Sequence, residues 1–196
     1  MTITEAVLSV ISVAGTAGTF YYGIKSFRLA QDKLRFSWDD ISVACRQLRH
    51  RAISRFKPQV FVCFSGPSSI VASILMQLSA CSVPMFVVFI EKRLGAQSDV
   101  EEMPEHRRVE TTKWIFYIPE VVFSFADKRA LLVDDCVISG ESLLLLKQLL
   151  IENDFKVIKT CSMVCTYAAK QSNKQPDFYH YLVDNGHFFM PWGEVY

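Results

Sequence analysis

Apolar runs alternate with amphipathic segments along most of this chain. Several runs have the length of buried strands and end in a turn or in a cluster of charges. These runs are Val60–Phe64, Met85–Ile90, Trp114–Ile118, Leu131–Val133 and the longer stretch Lys156–Tyr167. Between them, Ile70–Leu78 and the stretch from Ser142 to about Asn153 have helical spacing. The pattern predicts an α/β fold, a mostly parallel twisted sheet with helices on both faces.

Helix and turn signals precede the first of these strands. Ser37 is a natural N-cap residue, and Asp40 stands at the third helical position, where it completes a capping box. Pro58 then marks a loop before the apolar run that starts at Val60. The order is therefore cap, helix, turn and strand.

The N-terminal segment has a different character. Residues 6–24 carry no charge, and as a helix they would extend roughly 28 Å, close to the thickness of a bilayer core. Lys25, Arg28 and Lys33 follow, which predicts a membrane anchor with the rest of the chain in the cytoplasm. The alternative is a cytoplasmic protein whose helix is buried in a protein partner or a homo-oligomer, because the small residues of this segment also suit helix packing. The predicted domains are residues 1–33, helix and basic linker, and residues 34–196.

Composition narrows the choice of partners. The net charge is +1, so the overall charge gives no strong case for nucleic acid, which is expected only indirectly. Basic residues do gather between Lys25 and Lys57, and this segment is interpreted as a solvated helix face or a lipid-facing collar, with a nucleic-acid or protein partner as the alternative. The six cysteines lie mostly in apolar segments without metal-type spacing, which indicates buried free thiols.

The candidate chemistry follows the run Leu131–Val133. Asp134 and Asp135 stand at the end of this strand, and Ile138–Ser142 forms a turn of small residues that enters a helix. Free backbone amides and the positive end of the helix dipole would hold a phosphate on Ser139, Gly140, Glu141 and Ser142. The two carboxylates would bind ribose hydroxyls or Mg²⁺, which prefers oxygen ligands.

At these residues the chain resembles the type I phosphoribosyltransferases, which have a hydrophobic strand, two acids and a small-residue turn. The resemblance implies that Asp134 and Asp135 serve catalysis and hold Mg²⁺. It also implies that Ile138–Ser142 binds the 5-phosphate of phosphoribosyl pyrophosphate or a related nucleotide.

The chain is similar to the xanthine-guanine branch of that family in Ser37-Trp38-Asp39-Asp40 and in Lys57-Pro58-Gln59. In that branch an Arg-Gly-Gly turn cradles pyrophosphate, whereas this chain has Ser65-Gly66-Pro67. By resemblance, Ser65, Gly66 and Lys92 belong to the pyrophosphate side. A polar loop that follows Glu91-Lys92-Arg93 and runs to about Lys113 is expected to be either a catalytic lid or an ordinary solvated loop.

The C-terminus resembles the small hood that stacks a purine in the same branch. His187 falls at the position of the stacking tryptophan, Phe188 lies beside it, and Trp192 matches in part. The resemblance implies base binding by these three residues. The alternative is that the aromatic side chains only cover the core.

The resemblance predicts a protein that binds phosphoribosyl pyrophosphate and transfers phosphoribosyl, with a purine as the expected base. Ile138 stands where purine-specific relatives often have a proton-exchanging Asp, and Ser65 replaces an arginine. Whether the chain is an enzyme is therefore left open. The alternative function is a non-catalytic nucleotide-sensing membrane effector or scaffold, for example in a bacterial defence or toxin–antitoxin complex.

Overall fold

The structure, a computed structural model, describes residues 34–80, 82–93, 103–184 and 188–195. The described residues fall into two compact units, which are treated separately below. One consists of residues 37–184, and the other consists of residues 34–36 together with residues 188–195.

Helices in the larger unit begin at the signals present in the sequence. Helix α1, Trp38–Leu48, starts after Ser37, whose side chain and that of Asp40 form the expected capping box, and it continues as a π-helical segment, Arg49–Ser54. The other helices are α2 (Pro67–Leu78), the 3₁₀ helix Glu120–Phe125, α3 (Glu141–Glu152) and the short α4 (Tyr167–Gln171).

Seven strands form the main sheet. They are β1 (Val60–Phe64), β2 (Met85–Lys92), β3 (His106–Glu110), β4 (Trp114–Pro119), β5 (Arg129–Val137), β6 (Val157–Thr166) and β7 (Phe178–Val183), in the spatial order β3-β4-β2-β1-β5-β6-β7. Strands β2, β1, β5, β6 and β7 are parallel, while β3 and β4 add an antiparallel edge. The carboxyl ends of β1 and β5 are therefore neighbours.

The core lies on both faces of this sheet, as expected for parallel strands that are covered twice. On one face, Leu143, Leu146 and Leu150 of α3 join a buried cluster with Val62 and Leu132. On the other face, α2 packs on β5 and α1 packs on β6 and β7. Both helical layers leave the carboxyl ends of the strands for the candidate site.

The smaller unit contains a second, two-stranded sheet formed by β8 (Phe188–Met190) and β9 (Gly193–Val195). Arg35 bridges to Phe189, and the guanidinium of Arg35 lies 4.3 Å from the centre of the Phe189 ring. The rings of Phe36 and Phe188 meet edge to face at 5.9 Å.

The strands and helices predicted from the apolar pattern are confirmed, and the fold class with them. The prediction of a polar loop after Arg93 to about Lys113 is wrong at His106–Glu110, which forms strand β3 paired with β4, while residues 94–102 of that loop lie outside the described residues. Val109 of β3 packs against the core, whereas Arg107, Arg108 and Glu110 carry charge on this edge. A strand with so few apolar side chains gives no period-two signal in the sequence.

No helix among the described residues is long and apolar enough to cross a bilayer. The predicted membrane segment, residues 6–24, lies outside the described residues.

Candidate functional site

The turn between β5 and α3 is the first part of the candidate site. Gly140 adopts a left-handed conformation with φ of 73°, and α3 begins at the next residue. A Cβ atom at Gly140 would lie 2.3 Å from the carbonyl oxygen of Lys174, so glycine is required both by conformation and by space. Gly140 has no side chain to cap this helix, and the amide of Glu141 reaches only the hydroxyl oxygen of Ser139, at 3.4 Å, so the first-turn amides are weakly bonded to side chains.

Strand β6 holds the backbone that leads into this turn. The hydroxyl of buried Ser162 lies 3.1 Å from the carbonyl oxygen of Asp135, and Thr166 donates to the carbonyl of Ile138. The side chains of Ser162 and Thr166, in the buried strand β6, therefore hold the backbone that leads into the turn. Ser139 is exposed, and Ser142 is half-buried in the first turn of α3.

The acidic pair forms the second part of the site. Asp134 and Asp135 are each only 8% exposed, and the hydroxyl of buried Ser68, in the first turn of α2, lies 2.8 and 3.0 Å from their Oδ1 atoms. The Asp135 amide donates to Oδ1 of Asp134 at 3.0 Å. Burial, and then the nearby charge of Asp135, raise the pKa of Asp134 well above its ordinary value.

This pair suits a cation that also has ligands from a bound molecule. No group of three or more His, Cys, Asp or Glu side chains converges within the described ranges. Two adjacent carboxylates match the way Mg²⁺ is usually held, by one or two carboxylates with substrate phosphates and waters as the other ligands. A divalent cation would also offset the repulsion that raises the pKa of Asp134.

Lysines from two other segments reach the phosphate-type turn. The carboxylate of Glu141 lies 2.8 Å from Nζ of Lys113, in the β3–β4 turn, and 3.5 Å from Nζ of Lys174, after α4. Lys113 is the main reason that the pKa of Glu141 is lowered. Two cations and one carboxylate at this point leave a local excess of positive charge, which favours an anion.

The turn after β1 is built differently. Ser65 uses its amide to bond the carbonyl of Val88 at 2.9 Å, and Pro67 at the first helical position has no amide hydrogen. Ser69 bonds the carbonyl of Gly66 through both its amide and its hydroxyl. The turn therefore closes on itself and offers an anion few backbone donors.

The remaining predicted residues are more dispersed. Lys92 is exposed at the end of β2, where it pairs in register with Trp114 of β4. In the smaller unit, Phe188 is buried beside Phe36 and Trp192 is half-buried, whereas His187 lies outside the described residues. The structure thus brings together the acids, the phosphate-type turn and the turn after β1.

Sequence reasoning missed three residues of this arrangement, Ser68, Lys113 and Lys174. Ser68 follows Pro67 in a recognised turn, yet only the sheet order places its hydroxyl on the two acids 66 and 67 residues away. Lys113 and Lys174 come from connecting segments, where nothing in the local sequence pattern indicates that either would contact Glu141.

Comparison with known proteins agrees with this arrangement. The family described as Phosphoribosyl transferase domain matches residues 37–195. No curated protein matches the sequence significantly.

Solved structures show the same fold at low identity. A purine phosphoribosyltransferase from Pyrococcus horikoshii Ot3 is 20% identical, with a TM-score of 0.65 over 84% of this chain and 96% of that one. The xanthine-guanine-hypoxanthine phosphoribosyltransferase of Helicobacter pylori is 15% identical, with a TM-score of 0.58 over 82% of this chain and 94% of that one. A hypothetical protein from Neisseria gonorrhoeae with bound ppGpp is 19% identical, with a TM-score of 0.60 over 82% of this chain and 89% of that one. The match over residues 37–195 shows that the chain belongs to the phosphoribosyltransferase domain family.

Proposed function

We propose that the chain binds phosphoribosyl pyrophosphate, or a related ribose 5-phosphate ligand, and transfers phosphoribosyl slowly if at all. The observation that carries this proposal is the turn at Gly140, which joins an uncapped helix start to a buried acidic pair at the end of the same strand. In this proposal the phosphate lies on the turn and the ribose lies beside the acids, at the carboxyl end of the same strand.

Each part of the site has a separate task in this proposal. Ser139, Gly140 and Ser142, with the backbone at Ile138 and Glu141, bind the 5-phosphate. Asp134 and Asp135 bind ribose hydroxyls and hold Mg²⁺, which when bound supplies charge neutralisation for the pyrophosphate group. Ser68 orients the acids by donating a hydrogen bond, and the lysines near Glu141 add positive charge.

Transfer would displace pyrophosphate from the anomeric carbon through an oxocarbenium-like state. Stabilising the charge on leaving pyrophosphate is the demanding part of this step. Ser65 and Gly66 offer one hydroxyl and few amides there, and exposed Lys92 is the cation assigned to this side. The Gly140 turn keeps its donors while the Ser65-Gly66 turn has few, and this difference supports weak transfer of phosphoribosyl rather than weak binding of the sugar phosphate.

A purine is the base we propose, because the similar structures include enzymes named for purine, hypoxanthine and xanthine-guanine substrates. His187, Phe188 and Trp192 are proposed to bind it. Ile138 has no group that exchanges a proton, so the proton of a ribosylated base would pass to water or to the leaving group.

The direct test is an assay of pyrophosphate release by the full chain with Mg²⁺, phosphoribosyl pyrophosphate and, in turn, guanine, xanthine, hypoxanthine, adenine and uracil. Slow release with one or more purines and none with uracil is expected. Release that is fastest with uracil would overturn the choice of base. Release as fast as that of an efficient enzyme, on the order of 10 per second, would overturn slow transfer.

A second candidate is a nucleotide sensor without turnover. It is favoured by the closed turn at Ser65-Gly66-Pro67 and by the fold shared with the Neisseria gonorrhoeae protein that has ppGpp bound. In this case the ligand is a guanosine polyphosphate or another nucleotide. Tight nucleotide binding without pyrophosphate release would select it.

The membrane anchor at residues 6–24, a domain on the cytoplasmic side and a homo-oligomer or protein complex remain proposals from the sequence. An effector role predicts membrane leakage on overexpression. Leakage should survive Asp134→Asn with Asp135→Asn and should vanish when residues 1–24 are deleted. Loss of function on Asp134→Asn with Asp135→Asn, with residues 1–24 dispensable, would favour the enzyme.

A further inference from the structure

Fewer than half of the described cations are paired with acids of this chain. Eight of the eighteen described lysines and arginines lie within ion-pair distance of a carboxylate, namely Arg93, Arg107, Arg108, Lys113, Lys128, Lys147, Lys159 and Lys174. Most of these cations lie on the β3–β4 hairpin, at the candidate site or around Asp177. At each of these eight cations an acid of the chain therefore offsets at least part of the positive charge.

Five of the ten described cations without an ion pair lie together on one surface. The described segment from Ile41 to Gln59 contains no Asp or Glu, and its cations are all exposed and form no ion pair within the described residues. These cations, called here the basic helix surface, are Arg46, Arg49, Arg51, Arg55 and Lys57, with His50 exposed among them.

The basic helix surface is compact. Arg46 to Arg55 spans the end of α1 and the π-helical segment that follows it, less than roughly 14 Å at 1.5 Å per residue. Like charges held this close repel one another and destabilise the helix by a few tenths of a kcal/mol per pair. Because this repulsion lowers the stability of the helix, the cluster of cations is better explained by binding to a partner molecule than by folding.

Aromatic side chains lie beside these cations. The guanidinium of Arg51 donates to the carbonyl of Tyr179 at 3.1 Å, which joins the helix to β7, the edge strand of the sheet. Half-buried Tyr179, His180 and Tyr181 follow one another on this strand, and the rings of His180 and Tyr181 meet at 4.4 Å. The ring of Tyr179 packs against the core, and the hydroxyl of Tyr181 donates to the carbonyl of Asp40 in α1, which leaves His180 and Tyr181 as the aromatic groups next to this helix.

We infer that the basic helix surface and the adjoining β7 edge bind single-stranded nucleic acid. Closely spaced arginines form charge-assisted hydrogen bonds to phosphate, and aromatic groups give bases a stacking surface that tolerates any sequence. Arginine outnumbers lysine here by four to one, which favours this occupant over a diffuse layer of lipid headgroups.

The inference concerns a different face from the phosphate-type turn and does not depend on the proposed transfer activity. It is tested by fluorescence anisotropy of the full chain with a labelled oligo-uridine about 20 nucleotides long. Binding that weakens with salt is expected. Changing Arg46→Gln with Arg49→Gln should weaken it at least about tenfold and reduce the slope of log K against log salt by about 1.4, for two lost phosphate contacts.

The matched control changes the same amount of charge at cations that already have acidic partners, Arg93→Gln with Lys128→Gln. This variant should bind within about twofold of the original chain, whereas Arg46→Lys with Arg49→Lys should retain most of the affinity. Thermal unfolding of each variant by circular dichroism shows whether the fold is kept.

Three results would overturn the inference. One is the absence of oligo-uridine binding by the folded chain. Another is equal loss in the two glutamine variants, which would indicate a nonspecific charge effect. The third is binding to vesicles of phosphatidylcholine with phosphatidylglycerol, but not to oligo-uridine, that Arg46→Gln with Arg49→Gln abolishes. That result would assign the surface to an anionic membrane.

Discussion

Two turns at the carboxyl ends of neighbouring strands, after β5 and after β1, both lead into helices through a glycine with positive φ. At Gly140 the turn is braced by β6 and by Lys174, and the helix start is left available. At Gly66 the turn is closed by Ser69 and its first helical residue is Pro67. The comparison teaches that two glycine turns at one edge of a sheet can differ in the donors that they offer an anion.

The largest expected effect comes from the acidic pair on the Gly140 side. Asp134→Asn with Asp135→Asn should weaken phosphoribosyl pyrophosphate binding in Mg²⁺ by at least about 100-fold, because two charge-assisted interactions of about 1.5–3 kcal/mol each are lost. Isothermal calorimetry measures this change. The control Asp127→Asn with Asp154→Asn removes the same charge from two exposed residues, and equal loss in both variants would contradict a specific role.

The two glycines provide the next test. Gly140→Ala should cost about 2–3 kcal/mol of folding free energy, from the left-handed backbone and from the contact with Lys174, and it should weaken ligand binding as well. Gly66→Ala meets no atom within 4 Å and only the cost of its own backbone conformation, φ 76° and ψ −131°, about 1–3 kcal/mol. Urea unfolding measures both costs. An unchanged free energy of unfolding in Gly140→Ala would mean that the Gly140 turn is not braced as described.

Restoring the lost donors would narrow the difference between the turns. Ser65→Arg with Pro67→Gly should tighten pyrophosphate binding about tenfold, because a guanidinium and a backbone amide are added. Competition calorimetry with pyrophosphate measures the gain. Ser124→Arg adds the same charge on the exposed 3₁₀ helix as a control. An unchanged affinity in the Ser65 variant would show that the closed turn does not limit this side.

The smallest expected effect concerns stability and pH. Burial raises the pKa of Asp134, so above the ordinary aspartate pKa the folded state retains a proton that the unfolded state has lost. The free energy of unfolding therefore falls as pH rises through this window and levels off above the raised pKa. Asp134→Asn should flatten this dependence and add about 1 kcal/mol at neutral pH. Thermal unfolding between about pH 4 and pH 8 checks this, and an undiminished slope would contradict it.

The strands and helices were predictable because their apolar spacing is local. Strand β3 was not, since its stability comes from pairing with β4 rather than from an apolar period of its own. The turn at Gly140 was recognisable from its residues. Ser68 and Lys174 were not, because contacts between distant segments depend on sheet order and on the course of connecting loops.

The central claim is that the 5-phosphate side is intact and the pyrophosphate side is weakened. The most direct measurement is a pair of calorimetric titrations of the full chain in Mg²⁺, one with ribose 5-phosphate and one with phosphoribosyl pyrophosphate. The account predicts that both bind and that their dissociation constants differ by less than about tenfold, or ~1.4 kcal/mol. Failure of both to bind, or more than about 100-fold tighter binding of phosphoribosyl pyrophosphate, would contradict it.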